Sequence, residues 1–201
     1  MVAEAGAEAV GLNFYPRSPR FLTEPRAAAI VAALPPSVIK VGLFVNAAAD
    51  HIARTVAAFG LDVVQLHGDE PPQAASAVPV PVIKAFRLGA AGLAPVDDWL
   101  AAAGRLGFCP RMVLLDAFRP GQYGGTGETA NWSLAAEYCR DGARPPLLLA
   151  GGLTPTNVGT AIAAVRPHGV DTASGVEQSP GVKSPEMVRD FIAAARAGLD
   201  G

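Results

Sequence analysis

Short apolar runs alternate with alanine-rich helical patterns from one end of the chain to the other. The apolar runs are rich in β-branched residues and lack a polar face, which is typical of parallel strands covered on both sides. The predicted strands are 9–14, 38–44, 63–67, 82–86, 112–116, 146–150 and 169–174. Their alternation with helical segments predicts a parallel α/β sheet.

Helix start signals occur in several of the intervening segments. Thr23 precedes a helical pattern over 24–34, and Asn46 precedes one over 47–59. Thr154 precedes another, with Pro155 in its first turn, as expected near a helix N-terminus. A last helix is predicted from Ser184 to about Ala197.

Polar residues collect at the predicted carboxyl ends of the strands, which favours a TIM (β/α)8 barrel over a doubly wound sheet. They are Asn13, Asn46, His67, Asp116 and Ser174. The GxGxxG signature of a dinucleotide fold is absent after the first strand. We expect a single barrel domain over residues 1–201. Seven strands are predicted where such a barrel needs eight, so strand 1 and most of helix 1 are expected to be missing from this chain.

Composition narrows the function classes further. Half of the 201 residues are hydrophobic, the net charge is −2, and the 16 Lys and Arg residues form no cluster. Binding to nucleic acid or to an anionic membrane is therefore not expected. The two cysteines, Cys109 and Cys139, form no CxxC pattern, so we expect reduced thiols, no structural metal and a cytoplasmic location.

Three loops that follow strands carry candidate chemistry. Asp116 ends an apolar strand, and partial burial at such a rim raises a carboxyl pKa toward the range of acid–base catalysis. Glycine-rich turns at 151–158 and 174–181 predict a small phosphate site made of backbone N–H groups and a helix N-terminus. The loop GQYGGTGET (121–129) is equally compatible with a cover over substrate and with a plain surface loop.

Two basic side chains are further candidates for substrate contacts. Arg20 lies in a proline-punctuated loop, where a guanidinium can bind a carboxylate bidentately. His67 has Asp69 and Glu70 nearby, but without further converging ligands it is expected to be structural or a substrate hydrogen-bond partner rather than a metal ligand.

The chain resembles the phosphoribosylanthranilate isomerases of tryptophan biosynthesis. The matching stretches follow the family's order over essentially the whole chain, and QLHGDE and GGTGET are the most distinctive of them. They are GLNFYPRSPR, VGLFVN, VVQLHGDE, VLLDAF, YGGTGET, AGGLTPTNV and VDTASGVEQSPGVKS.

This resemblance implies an Amadori rearrangement of a small phosphorylated substrate, N-(5′-phosphoribosyl)anthranilate, without cofactor or metal. Asp116 matches the general acid, and Arg20 matches the arginine that faces the anthranilate carboxylate. The other implied substrate-binding residues are Asn13, Gln65, His67, Gly151, Gly152, Ser174 and Gly175. A monomer or a homodimer is expected.

The general base of the family is a cysteine in a Lys-Ile-Cys-Gly type motif on the first strand, and residues 1–201 contain no such motif. Ala173 also stands where the family usually has a serine. We therefore expect weak or no activity from this chain, whether its start reflects gene-start assignment or cloning, or a natural shortening. The alternatives are a histidine-pathway or bifunctional phosphosugar isomerase, and a catalytically dead phosphate-binding homologue.

Overall fold

Parallel strands form at the short apolar runs in the computed structural model, which describes residues 1–116 and 128–200. The main strands are β1 Ala9–Asn13, β2 Ile39–Phe44, β3 Val63–Leu66, β4 Val82–Arg87, β5 Met112–Asp116, β6 Leu147–Ala150 and β7 Gly169–Val170. The helices are α1 Glu24–Ala33, α2 Ala49–Phe59, α3 Pro72–Ser76, α4 Ala94–Arg105, α5 Glu128–Arg140, α6 Val158–Val165 and α7 Pro185–Leu199. Within the described ranges, none of the helices combines the length and the apolar character needed to cross a bilayer.

The chain divides into two compact units. The first unit comprises Met1–Lys84 and Trp99–Arg111, and the second comprises Ala85–Asp98 and Met112–Gly201. In the first unit, β1, β2, β3 and the start of β4 pair in parallel and in chain order. In the second unit, β5, β6 and β7 do the same. The single-domain boundary over 1–201 stays a prediction.

The core of the first unit is built from strand side chains packed against α1 and α2. Phe14 stacks on both Phe44 and Phe59, with ring centroids 5.4 and 5.5 Å apart. Leu12, Val64 and Leu66 are buried with them. Aromatic pairs at these separations add to the stabilisation that burial alone provides.

The core of the second unit lies between its strands and the apolar faces of α5, α6 and α7. Leu115 and Leu149 are fully buried on the strands, and Ile162 and Phe191 are buried on the helices. The buried Tyr138 keeps its hydroxyl satisfied by donating to the carbonyl of Pro145 at 2.8 Å. A buried hydroxyl without such a partner would be costly.

The observed elements correct three sequence predictions. Strand β7 ends at Val170 rather than at residue 174, because the chain then turns into a short 3-10 helix, Ser174–Val176, and a small antiparallel pair, β8 Glu177–Ser179 with β9 Val182–Lys183. Helix α2 begins at Ala49, not directly after Asn46, whose backbone is left-handed with φ of 50°. Helix α6 begins at Val158 because residues 154–157 form a separate turn.

A buried ion pair connects the ends of strands in the first unit. Lys84 Nζ lies 2.9 Å from Glu70 Oε2, and the two side chains are only 2% and 3% exposed. Glu70 Oε1 also accepts hydrogen bonds from the backbone N–H groups of Asn46 and Gly68, at 2.8 and 3.1 Å. Burial by itself raises the pKa of Glu70, but the hydrogen bond from Lys84, the backbone N–H groups and the charge of Lys84 together lower it.

The aromatic stack should contribute strongly to the stability of the first unit. Replacing Phe44, which is 1% exposed, by alanine should lower the free energy of unfolding by about 3–5 kcal/mol, because it removes buried area and leaves a cavity. Urea unfolding measures this loss. The control is Phe21→Ala, at a 36% exposed phenylalanine, where a loss of comparable size would contradict the assignment of the core.

Glu70 should make stability depend on acid pH. Its folded-state pKa is lowered from the ordinary value of 4.5, so its contribution is present above that value and is lost as pH falls through the lowered folded-state pKa. Between about pH 6 and about pH 3, Glu70→Gln should therefore lose less stability than the unmodified chain. The exposed neighbour Asp69 provides the control, since Asp69→Asn should follow the unmodified curve, and identical pH slopes for all three proteins would refute this role.

Candidate active site

Two carboxylates lie at the ends of the two strands that flank β6 in the second unit. Asp116 is the last residue of β5 and pairs in register with Ala150 at the end of β6. Asp171 directly follows β7 and donates its backbone N–H to the carbonyl of Leu149 at 2.8 Å. This places both carboxylates at the carboxyl edge of the strands, where α/β proteins bind their ligands.

The pKa of the Asp171 carboxyl is raised above its ordinary value. The main cause is the loss of water around the carboxyl; the charge of Lys183 lowers the pKa, and the charge of Asp116 raises it. Asp171 still has exposed surface, so its carboxyl is crowded by protein without being sealed from solvent. A carboxyl with a raised pKa at a strand end is a candidate for acid–base chemistry.

The two glycine-rich turns of the second unit contact each other at the carbonyl of Leu153. Thr172 Oγ1 donates to this carbonyl at 2.7 Å. A Cβ added at Gly175 would overlap the same Leu153 carbonyl oxygen, so only glycine fits at this close approach. The structure therefore brings the turn at Gly151 and Gly152 together with the turn at Ser174 and Gly175.

The first of these turns has a defined backbone shape. Gly151 and Gly152 have φ values of 94° and 66°, which glycine adopts without steric strain. Asn157 closes the turn, because its Nδ2 donates to the Gly152 carbonyl at 3.1 Å and its Oδ1 accepts from the Thr154 N–H at 2.8 Å. Helix α6 begins at the next residue, so the glycine turn leads into a helix N-terminus.

A lysine fixes the second turn. Lys183 Nζ donates to the Ala173 carbonyl at 2.6 Å and lies 3.0 Å from Glu177 Oε1, whose side chain is only 4% exposed. The serine hydroxyl that the family usually has at position 173 is replaced here by a methyl group. The backbone of that position is nevertheless held, by the same ammonium that affects the pKa of Asp171.

In the first unit, Asn13 organises the loop that carries Arg20. Asn13 Oδ1 accepts from the Tyr15 N–H at 2.9 Å, and its Nδ2 donates to Ser18 Oγ at 3.2 Å. Ser18 Oγ in turn accepts from the Arg20 N–H at 3.0 Å. Both ends of the Asn13 amide thus bond within the loop, which gives the backbone of Arg20 a fixed position.

Gln65 and His67 meet at the end of β3. Gln65 is buried, and its Nε2 lies 2.9 Å from His67 Nδ1. With the amide assigned this way round, Gln65 donates to Nδ1, so the proton of the neutral imidazole belongs on Nε2. The two predicted contact residues are therefore neighbours in one hydrogen-bonded pair.

The remaining candidates lie elsewhere or outside the described residues. Cys109 is exposed in the segment before β5, and Cys139 lies in the last turn of α5, so neither thiol is at the carboxyl end of a strand. Burial raises the pKa of the Cys139 thiol, which disfavours the reactive thiolate. Residues 121–127 of the glycine-rich loop are outside the described ranges. Among the described residues, His, Cys, Asp and Glu form no group able to hold a metal ion.

The sequence does not identify Asp171 or Lys183 as site residues. Asp171 fell inside the predicted seventh strand, where it had no rim position, and Lys183 contacts the turn from ten residues away. The available signal is the mainly polar run from Asp171 to Ser174, which indicates that the strand ends at Val170.

Comparison with known proteins identifies the family. The family model described as N-(5'phosphoribosyl)anthranilate (PRA) isomerase matches residues 1–194. An N-(5'-phosphoribosyl)anthranilate isomerase from Myxococcus xanthus is 50% identical over 195 residues, covering 96% of this chain and 88% of the relative. A protein of the same name from Geobacter metallireducens is 46% identical, covering 98% of this chain and 92% of the relative.

Solved structures agree with the sequence matches. The phosphoribosyl anthranilate isomerase of Thermotoga maritima is 37% identical to this chain, with a TM-score of 0.82. The match covers 98% of this chain and 91% of the Thermotoga maritima chain. A structure of such an isomerase in complex with reduced 1-(o-carboxyphenylamino)-1-deoxyribulose 5-phosphate is 35% identical, with the same coverage and a TM-score of 0.80. The α/β barrel fold class predicted from the sequence is thereby confirmed. Because the family model matches residues 1–194, this chain belongs to the N-(5'-phosphoribosyl)anthranilate isomerase family.

Proposed function

We propose that the family's reaction, isomerisation of N-(5'-phosphoribosyl)anthranilate in tryptophan biosynthesis, is carried out at the strand-end loops described above, with Asp116 as the general acid. The observation that carries the proposal is the position of Asp116 at the carboxyl end of β5, where its charge acts on the carboxyl of Asp171. Protonation of the ribose ring oxygen opens the ring to a Schiff base. Removal of the C2′ proton then gives an enolamine, which tautomerises to the ketose product.

The joined glycine turns of the second unit are proposed to bind the substrate phosphate. Support comes from the backbone at Gly151, Gly152, Ser174 and Gly175, which presents peptide groups without bulky side chains beside the start of α6. The N-terminus of a helix favours an anion through its dipole. Lys183 adds a positive charge at the neighbouring Ala173 carbonyl.

Asn13, Arg20, Gln65 and His67 are proposed to contact the anthranilate and ribose parts of the substrate. Support comes from the fixed loop around Arg20 and from the His67 tautomer, which directs an N–H donor away from Gln65. Asp171 is added to the proposed set, because it follows β7 at the carboxyl ends of the strands and its carboxyl feels the charge of Asp116. A guanidinium suits a carboxylate because its donors match both oxygens.

For the binding partners and the location in the cell, the proposal is a general one. We propose that the chain binds a small phosphorylated substrate and is a monomer or a homodimer. Its two free cysteines fit a location in the cytoplasm. One structural relative is described as monomers of a dimeric Thermotoga maritima enzyme, covering 98% of this chain with a TM-score of 0.77. The comparisons do not favour the histidine-pathway alternative or the dead homologue.

Replacing the acid should stop turnover without unfolding the protein. The assay uses an active version of the chain, which carries an N-terminal strand with a Lys-Ile-Cys-Gly segment. In the active version, Asp116→Asn should lower kcat by about 100-fold or more, since general acid catalysis contributes factors of this size. Asp190→Asn on α7 serves as an exposed control.

Near-normal kcat in Asp116→Asn would refute the acid assignment. Turnover of the histidine-pathway aminoaldose by the active version would instead support a bifunctional enzyme.

The contact between the two glycine turns should be sensitive to a single methyl group. Gly175→Ala forces the added Cβ against the Leu153 carbonyl, at an overpacking cost of about 1–3 kcal/mol. Affinity for the reduced product analogue, measured by calorimetry, should fall by about tenfold or more. Gly159→Ala in α6 is the matched control, since its Cβ meets no neighbouring atom within 4 Å, and an equal effect in both variants would contradict the proposed phosphate site.

A further inference from the structure

One buried ammonium group bonds to the backbone on both sides of His67. Lys84 Nζ donates to the Gly68 carbonyl at 2.7 Å and makes a longer contact of 3.4 Å with the Leu66 carbonyl. The Lys84 residue is only 2% exposed. A charged donor in such a dry setting makes stronger hydrogen bonds than a neutral one.

The carboxylate partner of this ammonium bonds to the same stretch of backbone. Glu70 accepts the Gly68 N–H at 3.1 Å through Oε1 and at 3.0 Å through Oε2. The ion pair therefore satisfies both backbone groups of Gly68, the residue that follows His67. Asn46 packs directly against this glycine, and a Cβ there would overlap its side-chain oxygen.

Two further contacts hold His67, one through its backbone and one through its imidazole. Its backbone N–H donates to the Phe44 carbonyl at 2.9 Å, and its Nδ1 accepts from the buried Gln65 amide. A backbone that could shift by a few tenths of an ångström would break this bond geometry. The Gln65 bond thus selects the tautomer only while the backbone of His67 stays in place.

We infer that the buried Glu70–Lys84 pair is a positioning device for His67, fixing its backbone so that the imidazole keeps its Nε2–H tautomer toward the substrate. The part of this inference that concerns substrate rests on the proposed function of His67. An apolar pair of the same volume would stabilise the core at least as well as a buried ion pair. The charged pair differs in supplying directed hydrogen bonds to the peptide groups that flank His67.

The test uses the double variant Glu70→Gln/Lys84→Met, which removes both charges and leaves no single charge buried. The matched control is Lys40→Met/Asp62→Asn, which removes another lysine–carboxylate pair of the same unit, 2.7 Å apart, at the amino ends of β2 and β3. Histidine-selective ¹⁵N NMR should show one tautomer for His67 in the unmodified chain and in the control. In the double variant, the separation of the two nitrogen shifts should collapse to about half or less as the tautomers average.

Kinetics in the active version supply the second readout. Loss of positioning should raise KM by about tenfold, as expected for a misplaced contact group, while a merely structural role would lower the amount of folded enzyme and leave KM unchanged. An unaltered His67 tautomer in a folded double variant would overturn the inference. If the double variant does not fold, hydrogen exchange in the unmodified chain decides: the Gly68 amide should be strongly protected, and exchange at the rate of an exposed loop would overturn it.

His67→Ala separates this inference from the proposed function. If His67→Ala leaves KM unchanged while the double variant still loses the tautomer, the positioning of the imidazole is supported and the substrate role of His67 is refuted.

Discussion

Parallel pairing of short, fully buried strands is the constraint on which the rest of this structure depends. Within each unit, neighbouring parallel strands present their carboxyl ends at the same edge, so residues far apart in sequence become neighbours there. Asp116 and Asp171 come together in this way. Most strand residues are apolar and buried, so most of the candidate site residues lie at the strand ends or just beyond them.

Two interactions turn these strand-end loops into defined shapes. In the first unit, the Glu70–Lys84 pair binds the peptide groups after β3, and in the second, the Leu153 carbonyl joins two glycine turns. Both interactions use backbone groups as partners. Because their partners are backbone groups, these interactions fix the loops without using the side chains of His67 and Ser174. A site whose loops are fixed in this way is preorganised.

The strands could be predicted from the sequence because each is a local apolar run with clear ends. The seventh strand is predicted too long, because Asp171 and Thr172 are themselves compatible with a strand. Its early end goes with a long-range contact, since Thr172 donates a hydrogen bond to the Leu153 carbonyl of another loop. Asn46 and Thr154 resemble helix caps in the local sequence. The side chain of Asn46 instead accepts a hydrogen bond from the backbone of Asp69, and Thr154 lies in a turn that Asn157 closes. The role of Lys84 could not be predicted either, because its partners lie at the end of β3 and in the loop after it, 14 to 18 residues earlier in the chain.

The chemistry of the site follows from how these charges are balanced. The charge of Asp116 raises the pKa of Asp171, and the charge of Lys183 lowers it by more. Loss of water around the Asp171 carboxyl is the largest effect and keeps its pKa above the ordinary value. The reaction also needs a base on the C2′ side of the sugar, and neither Cys109 nor Cys139 lies at a strand end. Among the described residues, the two thiols are therefore assigned no catalytic role, and the proposed chemistry rests on Asp116 at the end of β5.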